Sequence, residues 1–218
     1  MDLSPLWITL KISFTATVII IFTGLLLAWA VTLLKRGKAL ADAVLSLPLV
    51  LPPTVVGFIL LILLGANSPV GRLLDKLGGR IVFTWQGAVA AAAVVSFPVM
   101  YRGIRGALEQ VDPSVIQAAR TLGLSEFTIL RRIMVPAAFP GITAAAVLSF
   151  ARSLGEFGAT LMVAGNIPGQ TRTMSVAVYT AMQSSNRELA YIWVLIIAVY
   201  SLVILVVLNS IAGRRGGA

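Results

Sequence analysis

The residues best placed to do chemistry are two opposite charges inside an apolar stretch, Arg152 and Glu156. A spacing of four residues puts both side chains on one face of a helix, where they can pair. Each charge is costly in lipid, so both are expected to face the interior of a helix bundle or a water-filled cavity. Two interpretations stay open. The pair is a clamp that holds neighbouring helices together, or it lines a path in which the arginine attracts an anion.

Composition excludes the common catalytic combinations. The chain has no cysteine and no histidine, which removes disulfides, thiolate chemistry, histidine metal sites and Ser-His-Asp catalysis. Glu156 is the only carboxylate clearly within an apolar stretch, so a catalytic dyad is hard to assemble there. The phosphate-binding pattern Gly-x-x-x-x-Gly-Lys-[Ser/Thr] does not occur, so ATP hydrolysis by that route is not expected. The sequence predicts a protein that is not catalytic by itself, with no metal site and no bound cofactor.

At 58% hydrophobic and 11% charged residues, the chain is too apolar for a soluble domain. The formal net charge of +9 would suggest nucleic-acid binding in a soluble protein. Here the cations lie mostly between apolar stretches, so membrane topology explains them better and no nucleic-acid partner is expected. Asp2 precedes the first apolar stretch and Lys35 and Arg36 follow it, the opposite of a cleaved signal peptide, so this stretch is expected to be retained.

Five segments are long and apolar enough to cross a bilayer core of roughly 30 Å, which takes about 20 helical residues. They are 8–34, 44–65, 83–107, 138–163 and 189–212. No internal repeat or separate soluble domain is visible, so residues 1–218 are predicted to form a single all-α, multi-pass membrane domain. The glycine- and alanine-rich stretch Gly141–Ala146 is typical of a face where helices pack closely.

Positive charge near the ends of the spans indicates which side faces the cytoplasm. With the N-terminus placed outside, ten lysines and arginines fall inside and six fall outside, leaving Arg152 within a span. The ten include Arg214 and Arg215 near the C-terminus. The chain is therefore predicted to lie in the cytoplasmic membrane with its N-terminus outside and its C-terminus in the cytoplasm.

Two regions depart from regular spans. Pro48, Pro52 and Pro53 fall within six residues in the second span, and hydrocarbon cannot satisfy the backbone that they disrupt. We expect this segment to be a kinked packing helix or to line a pore. Residues 174–182 are apolar but too short to span, so we expect them to lie at the outer interface or to dip inward as a re-entrant piece.

A segment that no lipid-facing helix could tolerate, residues 112–136, separates the third and fourth spans; we call it the elbow. Its pattern predicts two short helices. Asp112 or Ser114 caps the first, and Gly123 supplies its left-handed C-terminal cap. Ser125 caps the second, which is expected to end at the final proline of the segment. A folded elbow that carries several arginines is typical of a docking surface for a cytoplasmic partner. The alternative is a basic connector.

The elbow resembles the EAA loop of ABC importer permeases, the element that docks on the ATP-hydrolysing subunit. The resemblance rests on Gln117, Ala118, Ala119, Gly123, Ile133 and Pro136. The family's usual first residue is glutamate, and glutamine keeps the hydrogen-bonding reach without the charge. The resemblance implies that the docking residues are Gln117, Ala118, Ala119, Arg120, Gly123, Leu124, Arg131 and Pro136.

The sequence around the charge pair resembles the molybdate and tungstate branch of these permeases, with sulfate and thiosulfate permeases close behind. The similar stretches are 151–160, 165–173 and 47–58. The resemblance implies a type I ABC importer permease fold, with about five transmembrane helices and a cytoplasmic coupling-helix elbow. Candidate substrate-path residues are Arg152, Glu156, Pro52, Pro53, Thr54 and Ser149. Candidate residues of a loop that faces an external binding protein are Asn166, Pro168, Gly169, Thr171 and Arg172.

The same resemblance implies a permease subunit that imports molybdate or tungstate by alternating access, with sulfate or thiosulfate as the alternative. The complex would contain two copies of this chain in the lipid bilayer, two cytoplasmic ABC ATPase subunits that use the ATP, and an external oxyanion-binding protein. A stand-alone secondary transporter or channel is a rival, disfavoured because neither inverted repeats nor paired broken helices are expected. An intramembrane enzyme is a second rival, disfavoured by the missing catalytic side chains.

Overall fold

The computed structural model describes residues 2–76 and 79–213, apart from the side chains of Asp75 and residues 207–213. Within these residues the regular structure is entirely helical. In chain order the helices are α1 (Ser4–Leu33), α2 (Lys38–Val50), α3 (Pro53–Leu64), α4 (Pro69–Lys76), α5 (Trp85–Glu109), α6 (Pro113–Thr121), α7 (Glu126–Ile129), α8 (Val135–Leu154), α9 (Gly158–Ala164), α10 (Met174–Gln183) and α11 (Arg187–Gly213). A π-helical turn, Leu130–Met134, joins α7 to α8.

Among the described residues, four helical stretches are long and apolar enough to cross a membrane. They are Ser4–Leu33, Trp85–Glu109, Glu126–Leu154 and Arg187–Val206. Helices α2 and α3 pass the same test only as a bent pair. The predicted spans 8–34, 83–107 and 189–212 thus correspond to α1, α5 and α11. Arg214 and Arg215, which the orientation prediction places inside, lie outside the described residues.

The second predicted span, 44–65, is not one helix. Helices α2 and α3 are bent by 107° at the break between them. Leu51 and Pro52 have extended ψ angles of 139° and 136°, because a residue that precedes proline is forced away from helical geometry. Pro53 then starts α3 at a position where no N–H donor is needed. At the prolines, where a kink was expected, the chain therefore bends by 107°.

The fourth predicted span, 138–163, is also broken. Helix α8 ends at Leu154, and α9 begins at Gly158. Helix α9 packs against α3. Among the described residues, α2 and α3 are the one sharply bent pair that could cross a membrane together, because the helical stretch that ends with α8 is long enough to cross without α9. Sequence periodicity missed the second break because the short helix α9 continues the apolar stretch with only Glu156 as an interruption.

The elbow's second helix does not end at Pro136, contrary to prediction. Helix α7, the π-helical turn and α8 follow one another without a break from Glu126 to Leu154. The proline ring would clash with the carbonyl of the preceding turn in a regular α-helix. Here the wider π-helical turn Leu130–Met134 directly precedes the proline, and such local widening is one way for a helix to accommodate an irregularity.

Helix α5 lies at the centre of the bundle and contacts α1, α2, α3, α8 and α9. Its crossing with α8 uses small residues spaced four apart on both helices. A Cβ atom added to Gly103 would lie 2.5 Å from Cβ of Ala145, and one added to Gly141 would lie 2.5 Å from Cβ of Ala107. Such backbone proximity is typical of small-residue packing in membrane helices. The close-packing face predicted at Gly141–Ala146 is confirmed.

Two short helices lie in the loops at the end of the bundle opposite the elbow. The predicted apolar segment 174–182 is α10, and the Thr173 hydroxyl accepts the N–H of Val176 at its start. The backbone N–H of Met174 donates to Oγ1 of the buried Thr9 on α1 at 2.9 Å. This bond fixes α10 against the first span. Helix α4 was not predicted, and its alternation of basic and apolar residues is typical of an amphipathic surface helix.

Candidate substrate path and docking surface

Side-chain caps define both helices of the elbow. The Asp112 carboxylate accepts the backbone N–H of Ser114 at 2.8 Å. This bond caps α6 and, with the Ser114 hydroxyl, holds the pKa of Asp112 below its ordinary value. The Ser125 hydroxyl accepts the N–H of Thr128 at 3.3 Å at the start of α7. Asp112 therefore caps the first helix rather than Ser114, and the predicted Ser125 cap is confirmed.

The turn between the two elbow helices is a Schellman cap centred on Gly123. Its φ angle of +77° lies in the left-handed region. The N–H of Gly123 donates to the Arg120 carbonyl at 2.9 Å, and the N–H of Leu124 donates to the Ala119 carbonyl at 3.2 Å. A Cβ atom added to Gly123 would meet nothing within 4 Å. Glycine is therefore required here by the backbone angle alone, as the sequence predicted.

An ion pair closes the elbow. Nε of Arg120 donates to Oε1 of Glu126 at 2.6 Å, and Nη2 donates to Oε2 at 3.1 Å. This two-point contact joins α6 to α7 across the glycine turn and raises the pKa of Arg120. Sequence reasoning missed Glu126 because the partners are six residues apart, which is outside the helical pairing distances. The pair sets the angle at which the elbow presents its surface.

The predicted docking residues form an exposed surface with one exception. Gln117, Ala118, Arg120, Gly123, Leu124, Arg131 and Pro136 are exposed. Ala119 is only 4% exposed and packs into the core. The same surface exposes apolar side chains that were not predicted, among them Leu122 at 80% and Phe127 at 58%. The Phe127 ring also lies edge-on to Trp29 of α1, with 6.3 Å between ring centroids. The surface is thus a mixed apolar and cationic one, suited to a protein partner.

Arg152 and Glu156 do pair, with Nη1 of the arginine 3.1 Å from Oε2 of the glutamate. They do not share a helix, because α8 ends between them and Glu156 lies in the break. The other carboxylate oxygen, Oε1, accepts the backbone N–H of Ala159 at 2.9 Å. One carboxylate therefore links the end of α8 to the start of α9. Its side chain is 2% exposed, whereas that of Arg152 is 35% exposed. The pair therefore bridges the helix break, and it leaves the cation partly accessible.

The two helix breaks meet at this point. A Cβ atom added to Gly158 would lie 3.0 Å from Cγ2 of Thr54 and 3.4 Å from Cβ of Pro53. The first turn of α3 therefore lies against the first turn of α9, two residues from Glu156. Pro52 and Thr54 are exposed beside it. Ser149 is different: it is fully buried in α8, and its hydroxyl has no hydrogen-bond partner among the described residues.

Gly57 of α3 lies directly against α9, and an added methyl group there is expected to destabilise the fold. Its Cβ atom would lie 2.7 Å from Cα and 3.0 Å from the carbonyl oxygen of Ala159, so backbone must move. We expect Gly57→Ala to lower the free energy of unfolding by about 1–3 kcal/mol, the usual cost of overpacking. Thermal unfolding of the purified protein measures it. Gly106→Ala is the control, because its Cβ atom would meet nothing within 4 Å. Equal unfolding temperatures for the two variants would contradict the contact.

The loop that follows α9 is held rigid by its own side chains. Asn166 accepts Nε–H of Arg172 at 2.7 Å and donates to the Thr180 hydroxyl of α10 at 2.9 Å. The Thr171 hydroxyl accepts the N–H of Ile167 at 3.0 Å and is fully buried. Thr171 therefore stabilises the loop from inside and is not exposed to a partner protein. Of the other predicted residues of this loop, Asn166, Pro168 and Gly169 are exposed, and Arg172 is partly so.

A polar cluster between α2 and α5 was not predicted. The Asp42 carboxylate of α2 contacts the Tyr101 hydroxyl and the Arg105 guanidinium of α5, and Arg102 donates to Ser46. The sequence did contain a signal for this cluster. Asp42 and Ser46 are four residues apart on α2, and Tyr101 and Arg105 are four residues apart on α5. The orientation prediction counts Arg102 and Arg105 among its ten inside cations and gives them no other role. Within the described part of the chain, no three acidic side chains lie close enough together to hold a metal ion.

Comparison with known proteins gives the same class. A family model described as "binding-protein-dependent transport system inner membrane component" matches residues 14–214. The molybdenum transport system permease protein ModB of Escherichia coli is 50% identical over 186 residues, covering 83% of this chain and 80% of that protein. The sulfate transport system permease protein CysT of Salmonella typhimurium is 34% identical over 210 residues, covering 96% of this chain and 76% of that protein.

Solved structures share the fold. A bacterial ABC transporter involved in the import of alginate superposes with a TM-score of 0.77 at 17% identity, covering 97% of this chain and 79% of that chain. The MetNI methionine ABC transporter in an inward-facing conformation gives 0.73 at 16% identity, covering 96% and 94%. The chain therefore has the type I ABC importer permease fold, and it belongs to the family of binding-protein-dependent transport system inner membrane components, which are transport subunits rather than enzymes.

Proposed function

We propose that this chain is the permease subunit of an ATP-driven importer of molybdate or tungstate. The observation that carries the proposal is the 50% identity, over 83% of the chain, to a molybdenum transport permease. The chain would work as a homodimer with two cytoplasmic ATPase subunits and an external oxyanion-binding protein, and the ATPase subunits would use the ATP. Sulfate is the alternative substrate, favoured by the 34% identity to a sulfate transport permease.

The charge pair supports an oxyanion as the transported species. A dianion that leaves water loses strong hydration, and a cation in a low-dielectric cavity offsets part of that loss. Arg152 has one N–H group on Glu156 and a side chain that is one-third exposed, so it can offer further donors to an anion. The negative charge of Glu156 partly offsets the positive potential of Arg152. An anion is then attracted without being held too tightly for release.

Two copies of the chain suit the path better than one. In a symmetric dimer, about ten spanning helices would surround a central cavity, and the two Arg152 side chains would lie symmetrically about it. The ATPase subunits would move the elbows as they close, and the helices would rock between inward-open and outward-open states. The loop with Asn166, Pro168, Gly169 and Arg172 would receive the external binding protein.

Uptake by the reconstituted complex tests the proposal. Proteoliposomes that contain this chain and its ATPase are supplied with ATP and with binding protein loaded with labelled molybdate, tungstate or sulfate. Accumulation of molybdate or tungstate supports the proposal. Accumulation of sulfate alone would establish the alternative, and accumulation of an anion without ATP or ATPase would indicate a secondary transporter or channel.

We expect the N-terminus to lie outside and the C-terminus in the cytoplasm. A cysteine at Asn67 or Asn166 should then react with an impermeant thiol reagent added to intact cells, whereas one at Ser125 should react only after lysis. All three positions are exposed, and the chain has no cysteine of its own, so the labelling has no background from this chain. Labelling of Ser125→Cys in intact cells would invert the orientation.

A further inference from the structure

The polar cluster between α2 and α5 is compact and shielded. The Tyr101 hydroxyl donates to Oδ1 of Asp42 at 2.5 Å, and Nη1 of Arg105 pairs with the same oxygen. Arg105 also donates to the Tyr101 hydroxyl at 3.2 Å. Tyr101 is 1% exposed, and the side chains of Arg105 and Asp42 are 15% and 33% exposed. Removing one partner would leave a partly buried charge, so the cluster resists opening.

These polar contacts attach α2 to α5. Ser46 is its only buried residue among those described, and its hydroxyl accepts Nε–H of Arg102 at 2.9 Å. The apolar side chains of α2 mostly point away, with Leu40 and Val50 exposed at 71% and 81%. Ala41 and Leu45 of α2 pack against the core that α5 helps to form, and the polar bonds add contacts with defined directions.

The cluster lies between the elbow and the first helix break. Arg105 lies four residues before the end of α5 at Glu109. Asp112, which caps the first elbow helix, follows three residues later. At its other end, α2 leads within two residues to Pro52, where the chain turns towards Thr54 and the charge pair. The cluster thus connects the part of α5 that carries the elbow to the helix that enters the path.

We propose that Asp42, Tyr101 and Arg105 are positioning residues that fix α2 to α5 as one rigid body throughout the transport cycle. Movement of the elbow then displaces the Pro52 break directly, and the path responds to the ATPase. This inference rests on the proposed function, because it assigns the residues a role in coupling ATP hydrolysis to transport. Its physical basis is that hydrogen-bond and salt-bridge networks and rigid helices carry coupling between distant sites.

The reconstituted complex measures this role as molybdate accumulated per ATP hydrolysed. We expect Asp42→Asn to lower this ratio by about tenfold, the upper range for contacts along a coupling route. Glu109→Gln is the matched control, because it removes the exposed partner of the same arginine, and it should keep the wild-type ratio. If Asp42→Asn instead lowers only the amount of assembled complex and leaves the ratio unchanged, the cluster merely stabilises the fold and the proposal fails.

A cross-link separates a rigid attachment from one that opens. The chain has no cysteine, so an Asp42→Cys/Arg105→Cys variant, with cysteine-free partner subunits, can be joined by a short bismaleimide. We expect a low ratio before cross-linking and recovery after it. A ratio that stays low or falls to zero would show that α2 must move against α5, which overturns the proposal. If the wild-type complex accumulates sulfate but not molybdate, only the substrate assignment is refuted. The coupling proposal is then tested by the amount of sulfate accumulated per ATP hydrolysed.

Discussion

Arg152→Ala is expected to abolish oxyanion uptake by the reconstituted complex. The substitution removes the accessible cation at the junction of the two helix breaks and leaves Glu156 buried without its partner. An orphaned buried charge costs about 3–5 kcal/mol when the pair is fully buried, and less here because Arg152 is one-third exposed. The variant therefore loses both the attraction for an anion and some stability. Uptake and the yield of assembled complex are the two measurements.

A second variant separates these two losses. Glu156→Gln keeps an oxygen for the N–H of Ala159 and keeps the cation, so it should transport with only a mild defect. In Arg152→Ala/Glu156→Gln no buried charge is left, so assembly should recover while uptake stays absent. Recovery of uptake in the double variant would refute the path role and leave only the clamp. The clamp would also be favoured if Arg152→Ala lowered expression and assembly and Arg152→Lys restored neither.

The sequence predicted the fold well where local chemistry determines structure. Helix caps at Asp112, Gly123 and Ser125 depend on residues within a few positions, and the structure has all three. Prediction from the sequence failed where the backbone adjusts over several residues together. Pro136 was expected to end a helix, but the π-helical turn before it lets the helix continue. Rules for single residues do not include such adjustments.

The candidate site was predicted in part for the same reason. The spacing of Arg152 and Glu156 predicted an ion pair, and the pair exists, although on the two sides of a helix break. Nothing in the local pattern placed Thr54 beside Gly158, because that contact joins residues about a hundred positions apart. The polar cluster on Asp42 was missed for the same reason, since its partners lie on different helices.

Gly123→Val is expected to prevent productive docking of the ATPase while the protein still inserts in the membrane. The left-handed conformation at φ +77° costs an ordinary residue about 1–2 kcal/mol, and a β-branched one more. That strain opposes the bonds from the N–H groups of Gly123 and Leu124, which hold the end of α6. The angle between α6 and α7 would change, and the exposed Leu122 and Phe127 would no longer form one surface. Co-purification of the ATPase and uptake should both fall sharply.

Two further variants serve as controls, one for backbone strain outside the elbow and one for the left-handed conformation at Gly123. Gly37 also has a left-handed φ of +78°, and its Cβ atom would likewise meet nothing within 4 Å. Gly37→Val therefore introduces the same backbone strain at a residue outside the elbow and should keep the ATPase bound. Gly123→Asn should be milder than Gly123→Val, because asparagine tolerates the left-handed conformation. If Gly123→Val loses the ATPase but Gly37→Val and Gly123→Asn do not, docking requires the Schellman turn. Normal co-purification and uptake in Gly123→Val would show that the partner recognises the elbow without it.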